Sequence, residues 1–332
     1  MFRQISSDVL RIDAAGETGR IVDAIRDIIF RRLKRQGAVV GVSGGIDSSV
    51  VAFLCARALG KESVVALLTR ETESSPESLR LARMVADSLG VQSAVEDIGP
   101  VLKAAHCYKR RDDAVQKAVP EYRSGYRCRI VQPTVHEPQT GALYSVVVRS
   151  PEGRSTWVPL TPEAYQDIVA AANLKQRARK MMEYYYADRL QYAVAGTANR
   201  LEHDQGLFVK NGDGAADLKP IAHLYKSQVC QLAAYLGVPE QIRRRPMADM
   251  YPLEDSREDL YFILPLEKMD LCLYGKDHGI PAPDLAAAVG LEAGQVQDVY
   301  DAIEAKRNAA EYLRADPLLV RETAEVQDPG LK

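Results

Sequence analysis

Long apolar runs are missing from this 332-residue chain, and no stretch is long enough to cross a bilayer. Its first residues, MFRQISSDVLRID, alternate charge without an apolar core, so they read as no signal peptide. A surplus of positive charge is missing too. The formal net charge is −2, which argues against a generally basic, nucleic-acid-binding surface. RRRP (243–246) is too short for a basic extension, and KRR (109–111) is followed by two aspartates. No CxxC pair occurs. The five cysteines (Cys55, Cys107, Cys128, Cys230, Cys272) are widely spaced, and the five histidines form no spaced cluster. That leaves no zinc signature and makes a reducing cytoplasm the expected home. Cys55, inside VVAFLCARAL, reads as a small buried hydrophobe. Internal repeats and low-complexity segments are absent as well.

The composition that is present, 46% hydrophobic and 27% charged, belongs to a folded globular protein with room for a sizeable core. Residues 17–36 carry apolar positions at helical spacing with basic residues gathering toward the end, and Gly37 is the expected stop. AVVGV (38–42) then reads as a buried parallel strand, followed by SGGIDSS (43–49) and a helical VVAFLCARAL (50–59). A second unit follows: strand VVALLT (64–69), helix PESLRLARMVADSL (76–89) and strand SAVEDI (93–98). Helix–strand alternation with short connections predicts a doubly wound, mostly parallel α/β sheet with helices on both faces. Such sheets bind ligands at the carboxyl ends of their strands, where SGGIDSS and the 69–73 loop fall.

The rhythm breaks over 106–160, where a charged run and turn formers precede a β-hairpin pattern around SPEGR. This stretch reads as an insertion or lid-like excursion. The alternative is a surface elaboration without a catalytic role. Residues 161–190 form a strong helical segment, with room for a bend before Asn173. YAVAGT (192–197) is the next buried strand, and KSQVCQLAAYLG (226–237) is a helix closed by Gly237. Strands are lost beyond about 240, with a loop-like run to about 258 and a helix over 296–317 ended by Pro317. The last dozen residues are polar and expected to fray.

SGGIDSS is the most informative string. Two glycines between a strand and a helix let the backbone turn tightly and bring N–H groups to an anion, which the helix N-terminus also faces. Ser43, Ser48 and Ser49 add hydroxyls, and Asp47 places a carboxylate where Mg²⁺ could bridge phosphates. GG is also an ordinary turn, and Asp and Ser are ordinary caps. The strand–loop–helix setting favours the phosphate reading. It is neither GxxxxGK[ST] nor GxGxxG.

SGGxDS instead resembles the pyrophosphate loop of the N-type ATP pyrophosphatases, which cleave ATP between the α and β phosphates. Three later strings narrow the resemblance: NLKQRARKMM from Asn173, AGTANRLE (195–202) and KNGDGAADLKPIAHLYK (210–226). Together they look like the NAD synthetase family of the ammonia-dependent type, over roughly 20–240 with a weaker continuation to about 275. The family implies an adenine nucleotide alpha hydrolase-like fold. It also implies ATP-dependent amidation of the nicotinate carboxylate of deamido-NAD through an adenylate, releasing AMP and pyrophosphate. Carried over, Ser43, Gly44, Gly45, Asp47, Ser48, Ser49, Thr197 and Lys226 would hold ATP. Asp47 and Glu202 would hold Mg²⁺. Asn173, Arg177, Lys210, Asp213 and Asp217 would surround the dinucleotide, with Asp47, Lys226 and Lys210 as the catalytic set. The implied partners are deamido-NAD or another small carboxylate, ammonia and a second copy in a homodimer, with no nucleic acid and no membrane.

On this reading 1–105 is the first part of the ATP pyrophosphatase domain and 106–160 the insertion. Residues 161–275 form the remainder with the substrate site, and 276–332 a helical C-terminal extension. No glutaminase constellation appears, so nitrogen would come as free ammonia or from a separate glutaminase. Physical alternatives stand beside each residue: Asp213 in KNGDG is also a turn aspartate, whereas Lys226 opposes the dipole of the helix it opens. The chain departs from the family at Thr69, at PMADM…DSREDLYF, and in the length of 106–160. These departures keep open a related ligase that adenylates a different carboxylate. A tRNA-modifying enzyme of the superfamily would need paired cysteines or an Fe–S site, which the spacing does not offer.

Overall fold

The computed structural model describes residues 5–131, 144–245 and 264–318. The turn-rich run 132–143, the stretch from Pro246 that contains PMADM…DSREDLYF, and the last dozen residues lie outside these. Four strands form the parallel sheet: β1 (Ala38–Gly41), β2 (Val64–Arg70), β3 (Gln92–Asp97) and β7 (Ala193–Ala195), in the order β3-β2-β1-β7. Alternation along β1 decides its packing. Ala38 and Val40 join the core beneath α1 (Ala14–Arg26), α2 (Ile46–Leu59), α3 (Pro76–Leu89) and α8 (Lys226–Leu236). Val39 faces the other way, with Leu67 and Val194, toward α6 (Pro162–Leu190). Helices therefore cover both faces, as the alternation predicts.

From β1 the chain moves outward through β2 and β3, and later returns to place β7 on the other side of β1. The crevice between the carboxyl ends of β1 and β7 is thus the switch point where open α/β sheets take ligands. The two glycine-containing loops, after β1 and after β7, both open there.

Several expectations need correction. The first helix does not run to Gly37. It widens into a π-helical turn over Asp27–Arg32, and Lys34 takes the left-handed conformation at φ 53°. Gly37 serves close packing instead, because a Cβ there would sit 2.3 Å from the Ser63 carbonyl oxygen. The helix after the phosphate loop begins at Ile46, so Asp47, Ser48 and Ser49 belong to its first turn. Residues 162–190 form one continuous helix of 29 residues, capped by Thr161.

Within 106–160 the hairpin is present as β5 (Ser145–Arg149) and β6 (Ser155–Pro159). The structure adds two elements that the sequence pattern does not show: a third antiparallel strand β4 (Arg127–Val131), and helix α5 (Cys107–Ala118), preceded by the short α4 (Gly99–Ala104). This sheet closes over a core of its own, in which Val115, Cys128, Ile130, Val146 and Val148 meet Ile168 and Ala172 of α6. The remaining helices are α7 (Arg200–Gln205), α9 (Glu240–Arg243), α10 (Leu266–Asp277), α11 (Ala282–Val289) and α12 (Ala293–Arg314). The last three gather around a separate apolar cluster that includes Leu201 of α7 and Tyr225.

Candidate active site

The loop after β1 is held from within. Ser43 donates its N–H to the Ser48 hydroxyl at 3.2 Å, and Gly45 donates its N–H to the Ser43 hydroxyl at 3.2 Å. The Ser48 hydroxyl also donates to the Gly45 carbonyl at 3.1 Å. Gly44 is required twice over. Its φ is +78°, and a Cβ there would meet the Ser78 carbonyl at 2.7 Å and Leu81 at 2.9 Å. The loop is therefore pressed on the first turn of α3 with its backbone already turned. Ser49 is fully buried and donates to the Gly45 carbonyl at 2.7 Å, which places it beneath the loop as a support.

Asp47 leaves the first turn of α2 toward the β7 loop. Its carboxylate pairs with the Lys226 ammonium, a side chain only 9% exposed. It also accepts from the Asn199 side-chain amide at 3.2 Å. Asn199 caps α7, accepting from the Glu202 N–H at 3.1 Å, while the Glu202 carboxylate accepts from the Asn199 N–H at 3.0 Å. One asparagine thus joins both expected metal carboxylates. Thr197 stands half-buried in the same loop, next to Gly196, where a Cβ would collide with Ala216 at 2.8 Å.

Electrostatics show what the group lacks. Burial, followed by the charge of Asp47, pushes the Glu202 carboxyl up to about 8, against the pull of Lys226. Burial works against the Lys226 charge as well, but Asp47 and then Glu202 outweigh it and hold its pKa above the lysine value. Two half-buried carboxylates thus stand near one ammonium, which pairs directly with Asp47 alone, and a further positive charge would be favourable here. Among the described residues no three His, Cys, Asp or Glu side chains gather as a complete metal cage. Two carboxylates with open positions suit Mg²⁺, which takes its other ligands from phosphate and water.

The expected substrate residues form a second group. Asn173 lies half-buried on α6, one turn before Arg177, whose Nε donates to the Lys210 carbonyl at 3.3 Å. The Lys210 ammonium donates to the carbonyls of Tyr312 at 2.6 Å and Ala315 at 3.2 Å, at the C-terminal end of α12. No hydrogen bond or ion pair among the described residues joins it to Asp47, Lys226 or Glu202. Asp213 accepts from the Val209 N–H at 2.8 Å, and burial raises its carboxyl above the ordinary range. Asp217 accepts from the Val194 N–H at 2.7 Å and so closes the free edge of β7.

Sequence reasoning missed a cluster at the end of β2. Lys175, 1% exposed, lies 3.1 Å from Glu71 and 2.5 Å from Glu73. Arg111 of α5 lies 2.6 Å from Glu73 and 2.7 Å from Asp112, and the Tyr108 hydroxyl donates to Glu71 at 2.7 Å. These pairs bind α5, α6 and the β2 loop together. No local spacing signals them, since Arg111 and Glu73 are 38 residues apart.

A family model described as NAD synthase matches residues 17–131 and 156–312. The chain belongs to that family. The unmatched residues include β5, the middle strand of the antiparallel sheet. Among curated proteins, the chain is 53% identical to the NH(3)-dependent NAD(+) synthetase of Mesorhizobium japonicum over 318 residues, covering 96% of this chain and 100% of that one. Two of the solved structures that share the fold illustrate it. One is an NH3-dependent NAD synthetase from Campylobacter jejuni in complex with the nitrate ion, at TM-score 0.61 and 21% identity. It covers 93% of this chain and 100% of that one. The other is an NMN synthetase from Francisella tularensis, at TM-score 0.58 and 21% identity, covering 93% and 99%. The NAD synthase match spans both loops of the crevice, from Ser43 to Lys226.

Proposed function

We propose that the chain amidates deamido-NAD to NAD with ammonia, using ATP to activate the nicotinate carboxylate as an adenylate. The observation that carries this is the meeting of Asp47, Asn199, Glu202 and Lys226 beside a preformed phosphate loop at the sheet's switch point. The names of its relatives supply the substrate class.

In the first step a nicotinate carboxylate oxygen attacks the α-phosphorus of ATP, and the bond to the β-phosphate oxygen breaks to release pyrophosphate. Ammonia then attacks the acyl carbon. AMP leaves with the bonding electron pair of its C–O bond, and the nitrogen sheds a proton. No side chain needs to act as nucleophile, so the site's task is charge stabilisation and orientation. Ser43, Gly44, Gly45 and Ser48 would cradle the phosphates, with Ser49 supporting the loop and Thr197 facing them across the crevice. Lys226 would exchange Asp47 for phosphate oxygens and neutralise charge as pyrophosphate departs. Asp47 and Glu202 would hold Mg²⁺, which supplies charge neutralisation on the phosphates when bound. Asn173, Arg177, Lys210, Asp213 and Asp217 would line the dinucleotide path.

The active form is a homodimer on this reading. Asn173 and Arg177 continue, at four-residue spacing on α6, into Met181 and Tyr185, both more than half exposed. A second copy packed on that stripe would place the substrate beside the interface. The described cysteines are free thiols, which supports a cytoplasmic setting. No described helix is long and apolar enough to cross a membrane.

Purified protein with ATP, Mg²⁺, ammonium and deamido-NAD should yield NAD and AMP in equal amounts, and Asp47→Ala should abolish both. ATP binding without NAD formation would overturn the substrate assignment in favour of a ligase for another carboxylate.

A further inference from the structure

Lys226 opens α8, yet its own segment provides no cap for the first two N–H groups of that helix. The residue before it is Tyr225, which has no short side-chain acceptor to turn back on them. Gln228 and Val229 donate their N–H groups to the Tyr225 carbonyl, both at 3.0 Å, and Gln228 Oε1 accepts from the Tyr225 N–H at 3.1 Å. The first two N–H groups turn instead to Asp270 of α10. Lys226 donates to Oδ1 at 3.3 Å and Ser227 to Oδ2 at 2.7 Å. Asp270 is fully buried and lies 44 residues further along the chain.

This is a costly place for a carboxylate. Burial raises its pKa, and the N–H bonds from Ser227 and Lys226 only partly offset that. Its charge is nonetheless well placed. A lysine at a helix start opposes the dipole, and a negative group at the same end counters both the dipole and the ammonium. The far end of α10 is tied to the site as well. Asp277 accepts from Arg200 of α7 at 2.6 Å and from the Tyr225 hydroxyl at 3.2 Å, and pairs with Arg307 of α12. One helix therefore braces both the start of α8 and the helix that carries Glu202.

We propose that Asp270 is a positioning residue for the adenylation step. By capping α8 from another helix, it fixes the backbone from which Lys226 reaches Asp47 and, in turn, phosphate. This rests on the assignment of Lys226 to the phosphates.

Two variants and two readouts test it. Steady-state assays with deamido-NAD should show a graded fall in kcat from wild type through Asp270→Asn to Asp270→Ala. The alanine variant should lose about 100-fold, as expected for a reacting group displaced by about an ångström. KM for ATP and deamido-NAD should stay near the wild-type values. Hydrogen exchange over 224–229 does not depend on the identity of the substrate. It should be about tenfold faster in Asp270→Ala, with the rest of α8 still protected. Wild-type kcat in either folded variant overturns the proposal, as does unchanged exchange, or a rise in KM as large as the fall in kcat. If Asp270→Ala does not fold, the kcat and exchange of Asp270→Asn decide alone. Failure of the wild type to form NAD would instead refute the substrate assignment, leaving the exchange result to stand for or against the cap.

Discussion

The side-chain amide of Asn199 donates to Asp47 at 3.2 Å, while its carbonyl oxygen accepts from the Glu202 N–H at 3.1 Å. One residue thus links a carboxylate from the β1 side of the crevice to one from the β7 side: its side chain holds Asp47 and the Glu202 backbone, and its own N–H holds the Glu202 carboxylate. Both atoms of the amide are used, so neither an alanine nor an aspartate replaces it. Asn199→Ala is expected to cost about 1 kcal/mol through the lost cap. It should also cost roughly 10- to 100-fold in kcat through the loosened carboxylates. Asn199→Asp keeps the cap acceptor but turns a donor into a third carboxylate beside Asp47 and Glu202. Its melting temperature should stay closer to wild type while kcat falls at least as far. Thermal melts and kcat on the two variants separate the roles, and equal kcat in Asn199→Asp and wild type would refute the alignment.

Glu73 makes the β2-loop cluster sensitive to acid. Burial raises its carboxyl, but hydrogen bonding from Arg111 and the charge of Lys175 outweigh it, so its pKa lies below the usual 4.5. The unfolded chain then takes up the Glu73 proton more readily than the folded one. The cluster's contribution is complete above the unfolded value and is lost as pH falls through the folded one. Glu73→Gln leaves two buried cations short of a partner charge, although Lys175 keeps Glu71 and Arg111 keeps Asp112. A loss of about 3 kcal/mol at neutral pH is expected, at the low end for a broken buried pair. Urea unfolding should show that difference shrinking below about pH 4. A pH-independent difference would mean that packing, and not charge, carries the effect.

The same cluster shows where sequence reading stops. The helix at 76–89 is legible to the residue, because Ser75 caps it, Pro76 suits its first turn and Gly90 ends it in the left-handed conformation. The Asn199–Glu202 capping box can be read from N-x-x-E, and the phosphate loop from its glycines and its strand–helix setting. Helix α5 is not legible, because CYKRRDDAVQKA looks solvated until Arg111 finds Glu73 on another element. Gly37 reads as a helix stop but is kept small by the Ser63 carbonyl and the Tyr192 ring. The Asp270 cap escapes for a related reason, since capping patterns are local and this one spans two helices. Matches across the fold depend on packing, and packing has no spacing in the chain.

Lys210 is held by the end of α12, with its ammonium on two carbonyls and 4.2 Å from the centre of the Tyr312 ring. A cation at a helix C-terminus stabilises by about 0.3–1 kcal/mol, so Lys210→Ala should lower the melting temperature slightly. If Lys210 also meets the dinucleotide, KM for deamido-NAD should rise while kcat with saturating substrate holds. A changed melting temperature with an unchanged KM would leave Lys210 as a clasp for α12 alone.

The exposed stripe on α6 gives the last expectation. Met182 and Ala178 turn inward against α4 and β3, so Met181 and Tyr185, one turn apart, necessarily face outward. Two large apolar side chains in line with Arg177 make a poor solvent face and a good start for a self-complementary contact. Met181→Asp and Tyr185→Asp should each shift the protein from dimer to monomer in sedimentation velocity, with little loss of melting temperature because neither side chain is in the core. Activity should fall through KM for deamido-NAD more than through KM for ATP, since Asn173 and Arg177 share the stripe whereas the phosphate loop lies across the sheet. A monomeric variant with wild-type KM for both substrates would separate the substrate site from the interface, and a variant that stays dimeric would move the interface to another face.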